Sequence, residues 1–460
     1  MKLKPYPEYK DSGIPWFGQI PKNWNILPIA ALFKERGEYN IKLSEKQVLS
    51  VLRDVGVIPY EEKGKIGNKK SEDISRYKLV KVNDIVINSM NVIIGSVGLS
   101  RFAGCLSPIY YVFVGRSNTI SIYYYSYIFK MRSFQRSLIR LGKGILSHRM
   151  RIPMELLKRE RMPIPPIREQ TIIANYLFMK EKKIAKFIRN KKRIIQLLKE
   201  QKQAIINQGV TKGINPHVKM KPSGIDWIGE IPEHWETKRL KMLYDNLSNQ
   251  TTNKESNEVY IALENVESWT GKLILPNEET LFESKVKRFC FNDILFGKLR
   301  PYLAKVFKAN CNGVCSGEFL VLRNYSKEIK PEFMELKLRS VQIIDLINSS
   351  TFGAKMPRAD WNFIGGILIS YPNKEEQKVI INKIKCELKK IDRVITKNQK
   401  EIELIQEYRT RLISDVVTGK IDVRGIEVED IPDEELTEEL TTTEGSEISK
   451  ENSQEVSNAS

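Results

Sequence analysis

The segment Ser12-Gly13-Ile14-Pro15-Trp16-Phe17-Gly18-Gln19-Ile20-Pro21-Lys22-Asn23-Trp24 returns, 211 residues later, as Ser223-Gly224-Ile225-Asp226-Trp227-Ile228-Gly229-Glu230-Ile231-Pro232-Glu233-His234-Trp235. Both copies keep S-G-I-x-W-x-G-x-I-P-x-x-W. A period of this size is far beyond the roughly 20–50 residues of a solenoid repeat; it is the length of a domain. The chain is a tandem duplication of one module. Other anchors recur in order: Asn83-Asp84 with Asn292-Asp293, Gly104-x-x-Ser107-x-x-Tyr110 with Gly313-x-x-Ser316-x-x-Phe319, Glu169-Gln170 with Glu376-Gln377, and Val210-Thr211 with Val417-Thr418. The offset drifts only from 211 to 207 residues. Between the anchors the halves diverge, as expected of two recognition units that share a frame and read different targets.

With 460 residues, 41% of them hydrophobic, the chain has material for two or more cores. No run approaches the ~18 apolar residues of a membrane span, and Met1-Lys2-Leu3-Lys4-Pro5 lacks the apolar stretch of a signal peptide. Five cysteines at unpatterned spacings argue for a reducing compartment. A soluble cytoplasmic protein is expected. The net charge of +19 hides a split: residues 426–460 hold twelve Asp and Glu against Lys450, so the body is eleven charges more basic than the total. Such a surface takes a polyanion, nucleic acid before an acidic membrane, with solubility alone as the plain alternative. The acidic tail, residues 422–460, is expected to be disordered.

The pattern predicts α+β modules. Strand-like runs at 47–52, 84–88 and 109–114 and a helix over 123–141 precede Pro163-Ile164-Pro165-Pro166, where prolines impose an extended linker. The second half repeats this order, with a helix over 332–347 and a stop at Tyr371-Pro372. The predicted organisation is a first module (1–165), a first long helix (166–213), a second module (214–373), a second long helix (374–421) and the tail. Heptads run through both helices. Position a holds Leu177, Ile184, Lys191, Leu198 and Ile205, then Ile384, Ile391, Asn398, Ile405 and Leu412; position d holds Ile173, Lys180, Phe187, Ile194 and Gln201, then Ile380, Glu387, Val394, Glu401 and Tyr408. The one polar a residue falls at the same place in each, Lys191 and Asn398. This predicts an antiparallel coiled coil, with two amphipathic helices on separate domains as the alternative.

Little in the chain suggests a reaction. Gly142-Lys143-Gly144 lacks phosphate-loop spacing. Ile164-Pro165-Pro166-Ile167 has no polar residue before the prolines, as an adenine methylase motif would. Cys311 and Cys315 have no second pair to complete a zinc site, and no metal site is expected. His148, His217 and His234 stand beside no obvious nucleophile. No catalytic residue is assigned. The binding candidates are loop residues: Asn88 and Asn91, whose amides suit adenine; Lys143, Arg149 and Arg151; Lys298, Arg300 and Tyr302; Lys355 and Arg358. Such side chains meet phosphates and base edges, and for each alone a solvated turn is the alternative. The repeated tryptophans Trp16, Trp24, Trp227 and Trp235 read as packing anchors against the helices rather than stacking platforms for bases.

These motifs together, S-G-I-x-W-x-G-x-I-P-x-x-W opening each half, Lys298-Leu299-Arg300-Pro301-Tyr302, and P-x-P-P-x-x-E-Q leading into a long helix, resemble the specificity subunits of type I restriction-modification enzymes. The resemblance covers nearly all of 8–421. It implies two target-recognition domains in tandem, separated and joined by paired antiparallel helices, each domain reading half of an asymmetric, interrupted site in double-stranded DNA. It implies no active site and no bound cofactor in this chain. The implied partners are two methyltransferase subunits and restriction/translocase subunits, which would use S-adenosylmethionine, ATP and Mg, in a bacterial or archaeal cytoplasm. The second linker, Ser370-Tyr371-Pro372-Asn373-Lys374-Glu375, has fewer prolines than the family pattern, and the tail beyond Gly425 lies outside it. The competing readings are a self-sufficient DNA methylase or endonuclease and a coiled-coil scaffold.

Overall fold

The computed structural model describes residues 4–64, 69–142, 150–224, 228–255, 258–274, 285–353 and 356–427. The chain divides into two compact units: residues 1–190 with 401–460, and residues 191–400. Each contains one module, the start of one long helix and the end of the other.

Unit 1 is built on an antiparallel sheet of β1 (Phe33–Glu35), β2 (Ile85–Asn88), β3 (Val97–Leu99) and β4 (Tyr110–Gly115), in the order β1-β4-β2-β3. All four residues of β2 are buried, as a short continuous apolar run suggests. The preceding Asn-Asp makes the turn. Asn83 takes φ +68°, a conformation asparagine tolerates. Asp84 Oδ2 accepts from the Lys81 amide at 2.8 Å, and Arg36 donates to both carboxylate oxygens at 2.7 and 2.9 Å. The helix predicted over 123–141 is broken: α1 (Ile122–Lys130) and α2 (Arg132–Ser137) flank Met131, which is extended. The break lets Phe129 and Phe134 meet edge to face, with ring centroids 5.3 Å apart. The long helix α3 follows (Ile167–Thr211).

Unit 2 repeats the plan with β5 (Tyr244–Leu247), β6 (Ile294–Gly297), β7 (Val306–Lys308) and β8 (Phe319–Asn324), in the order β5-β8-β6-β7. Tyr110 faces Asn88, and Phe319 faces Gly297, so the pairing register is shared. Asn292 takes φ +70°, and Asp293 accepts from the Cys290 amide at 2.7 Å and from Arg323 at 2.8 and 2.7 Å. The single helix predicted over 332–347 is two, α4 (Pro331–Leu338) and α5 (Val341–Ser349). Between them the buried Ser340 hydroxyl donates back to the Lys337 carbonyl at 2.7 Å, competing locally with helix continuation. The second long helix is α6 (Lys374–Val417). Beyond the shared sheet the fillings differ. Unit 2 adds a second four-stranded sheet; in unit 1 the described residues there form two-stranded pairs.

Within each unit, halves of α3 and α6 pack antiparallel. In unit 1, Glu181 pairs with Arg409, while the start of α3 and the end of α6 share the core through Ile173, Leu177, Leu412 and Val416. In unit 2, Lys202 Nζ lies 2.5 Å from Asp392, and Gly209 is seated against Ile384 and Ile380, where a Cβ would come within 2.6 Å of Ile384. The a positions face inward: Leu177, Ile184, Ile384, Ile391, Asn398 and Leu412 are buried, and Lys191, Leu198, Ile205 and Ile405 are half-buried. The second column of the seam differs from the predicted one. Ile173 and Ile380 are buried, but Phe187, Ile194, Val394 and Tyr408 are each at least 40% exposed. The inward partners of a are at e: Glu181, Ile188, Ile195, Gly209, Leu388, Ile395, Ile402 and Arg409 are buried or half-buried. An apolar heptad fixes a stripe, but a second apolar column beside it is ambiguous until a partner helix selects one. Asn398, the polar a residue, donates its amide to the Val394 carbonyl of its own helix at 2.8 Å.

The duplicated motif sits where each module meets the helices. Trp24 and Trp235 are fully buried. Trp24 Nε1 donates to Glu169 at 2.8 Å, and Trp235 Nε1 to Glu376 at 3.2 Å. The following glutamine ties the linker to the module. Gln170 Nε2 donates to the Pro165 carbonyl at 2.8 Å and its Oε1 accepts from the Ser121 amide; Gln377 does the same with Pro372 and Lys330. The far face of each tryptophan meets the end of the other long helix. Gly419, at φ +72°, follows α6 beside Pro21 and Trp24; Gly213, at φ +74°, follows α3 beside Trp235. Glycine is required at Gly419, where a Cβ would stand 2.5 Å from Pro21. Trp16 packs edge to face on Phe17 and Phe134; Trp227 lies outside the described residues.

Candidate nucleic-acid interface

Unit 2 brings two of the predicted loops together. The Lys298 amide donates to the Glu318 carbonyl and the Lys298 carbonyl accepts from Ala359, both at 2.9 Å; the Arg300 amide donates to Pro357 at 2.8 Å. Arg300, at φ +51°, turns the chain into Pro301. Lys298 and Arg300 thus share one surface with Arg358, whose guanidinium lies 2.9 Å from Glu318. Tyr302, Phe352 and Met356 are exposed around it. Lys287 lies beneath, donating to the Phe319 carbonyl at 2.8 Å. Burial and the neighbouring Lys298 charge hold its ammonium below the usual lysine range. Lys355 lies outside the described residues.

In unit 1 the equivalent loops meet in the same way: the Ile152 amide donates to the Ser89 carbonyl at 2.9 Å, as Ala359 does to Lys298. The two asparagines part company. Asn88 is buried and its Oδ1 accepts from the Met90 amide at 3.0 Å, so that oxygen serves its own turn. Asn91 is half-buried, and its side-chain amide makes no hydrogen bond among the described residues. Arg151 is exposed beside Ile152. Lys143 and Arg149 lie outside the described residues. Cys311 and Cys315 are free thiols; burial pushes Cys315 up to about 12, away from the thiolate a metal would need. Among the described residues no three His, Cys, Asp or Glu side chains converge as metal ligands, and no helix is long and apolar enough to cross a membrane.

Sequence reasoning flagged Glu169, Glu376, Asp84 and Asp293 as repeated letters without roles. Their hydrogen bonds from Trp or Arg donors give them one, with Glu169, Asp84 and Asp293 buried and Glu376 half-buried, and repetition at a fixed offset was the available signal. It passed over the cations Arg53, Lys69, Lys70 and Arg76 on unit 1.

No protein-family model matches the sequence. The chain is 24% identical over 433 residues to the type I restriction enzyme MjaVIII specificity subunit of Methanocaldococcus jannaschii, covering 89% of this chain and 95% of that protein. It is 26% identical over 431 residues to the putative MjaX specificity subunit of the same organism, covering 88% and 96%. A chain from a structure of the assembly and conformational transition of the type I restriction-modification system has the same fold, with a TM-score of 0.64 at 12% identity over 86% of this chain and 98% of that one. Along most of its length the sequence is thus similar to those of type I restriction enzyme specificity subunits, and the fold is that of a chain from a type I restriction-modification system.

Proposed function

We propose that this chain is the DNA-recognition subunit of a type I restriction-modification complex. It binds an asymmetric, two-part site in duplex DNA and directs adenine methylation and restriction carried out by partner subunits. The observation that supports this reading best is the duplicated Trp–Glu and Gln junction, which places two modules with a common sheet and different fillings on the same pair of helices. One frame carrying two different surfaces suits two different half-sites. The names of its relatives favour this over a self-sufficient methylase or endonuclease. The chain itself is read as non-catalytic and cytoplasmic. Two methyltransferase subunits and restriction/translocase subunits complete the complex, with S-adenosylmethionine, ATP and Mg held by those partners.

The test is a genome-wide map of methylated adenines in the native host with and without this locus. Loss of one motif made of two short blocks around an unread gap is expected; an unchanged map overturns the reading. Purified alone, the chain should neither cut DNA with Mg²⁺ nor methylate it with S-adenosylmethionine, and activity in either condition would establish the enzymatic alternative.

A further inference from the structure

Unit 1 holds an open cleft of about 980 Å³, walled by the strand Leu49–Leu52, by residues 69–77 and by the loop that leaves β2. This is at the upper end of ligand pockets, which run about 300–1,000 Å³. It has room for a short run of backbone rather than a single ion. The lining is mostly apolar and neutral polar, and its charged side chains are nearly all cations. Arg53, Lys69, Lys70 and Arg76 are exposed there, and Asp73 is the one acid among the described lining residues. Lys70 lies over the Tyr60 ring, 5.3 Å from its centroid, and 3.2 Å from Glu61; Arg53 lies 3.3 Å from Asp54. Both ion pairs are solvent-exposed and hold their cations weakly, so a phosphate can displace either carboxylate. Lys69 makes no ion pair among the described residues.

Asn88 and Asn91 both line the cleft; the Asn88 Oδ1 is taken by the Met90 amide, whereas the Asn91 side-chain amide makes no hydrogen bond among the described residues and can both donate and accept. That combination matches the N6 and N7 edge of adenine, and the surrounding cations match the backbone that flanks a base. A recess of this volume admits one strand and its groove edge, not a whole duplex.

We propose that unit 1 takes one strand of its duplex half-site into this cleft, with Asn91 reading a base edge and Lys69 and Arg76 holding flanking phosphates. The proposal rests on the reading of the chain as a DNA-recognition subunit and assigns the residues by which one half-site is read. Asn91 specifies; Lys69 and Arg76 position.

The experiment uses the complex assembled with its methyltransferase subunits. Methylated adenines are mapped for the wild type, for Asn91→Ala and for Lys69→Glu combined with Arg76→Glu. With Asn91→Ala, one base position in one block should lose definition, with about a tenfold to hundredfold loss of discrimination there; the other block and the gap stay as they were. The double charge reversal should weaken methylation at all sites without altering the motif and lower the salt dependence of duplex binding by about two contacts. Wild-type motif, extent and salt dependence in both variants would overturn the proposal. A wild type that yields no two-block motif overturns the functional reading itself, a distinct result. Lys69 and Arg76 are exposed, so their reversal remains informative should Asn91→Ala fail to fold.

Discussion

Glu169 accepts from Trp24, from the Tyr6 hydroxyl and from Asn23, and is buried; its counterpart Glu376 accepts from Trp235, pairs with the exposed His234 at 2.6 Å and keeps 26% of its side chain in solvent. Removing an acceptor hurts most where the donors cannot turn to water. Glu169→Ala should cost about 2–4 kcal/mol and Glu376→Ala about 1 kcal/mol, measured as loss of hydrogen-exchange protection in each unit. A second pair of equivalents differs in chemistry. The Val417 carbonyl accepts from the Tyr124 hydroxyl at 3.0 Å, while the Val210 carbonyl accepts from the fully buried Lys337 ammonium at 2.6 Å, which also donates to Ser370 at 2.9 Å. Burial pushes Lys337 down to about 7. The unfolded chain protonates this lysine up to its usual range near ~10.4, so between there and about 7 it binds more protons than the fold, and stability rises with pH. Relative to Lys337→Met, the wild type should therefore gain stability as pH rises from 7 to 10, by at most about 1.4 kcal/mol per unit. A flat difference across that window would refute the assignment.

At the scale of elements, the seam of α3 and α6 depends on which column beside position a is covered. Ile395 is buried and Val394, its neighbour on the predicted d column, is 44% exposed. Ile395→Asp should destabilise unit 2 by about 3 kcal/mol or more. Val394→Asp should stay within about 0.5 kcal/mol in the free chain. Equal effects in denaturant titrations would restore the a/d seam. The broken helices at Met131 and at Ser340 show the same limit of periodicity: apolar spacing continues through both breaks, and only the packing on each side reveals the change of direction.

For the molecule as a whole, a body more basic than the +19 total predicts a general attraction to polyanions that does not depend on sequence. Affinity for duplex of unrelated sequence should fall by about 10³ between 50 and 200 mM salt, as for a protein making at least about six phosphate contacts. A shallow slope would support the scaffold reading, in which the charge serves solubility alone. The exposed Phe187, Ile194, Val394, Leu404 and Tyr408 on the long helices mark apolar surface left uncovered within each unit.

The duplication, the α+β class and the two long helices were determined by the sequence alone, because identical letters at a fixed offset and apolar residues at helical spacing are local signals. So was the packing role of Trp24 and Trp235: a Gly- and Pro-rich frame repeated twice leaves little freedom. The tertiary structure alone decided the second column of the seam, the helix breaks, and the burial of Glu169 beneath three donors. It also decided that Asn88 and Asn91 line one cleft with Lys69 and Arg76, the Asn88 Oδ1 being taken by the Met90 amide. These depend on which distant segment covers a surface, and covering is a property of the packed chain, carried by no window of its sequence.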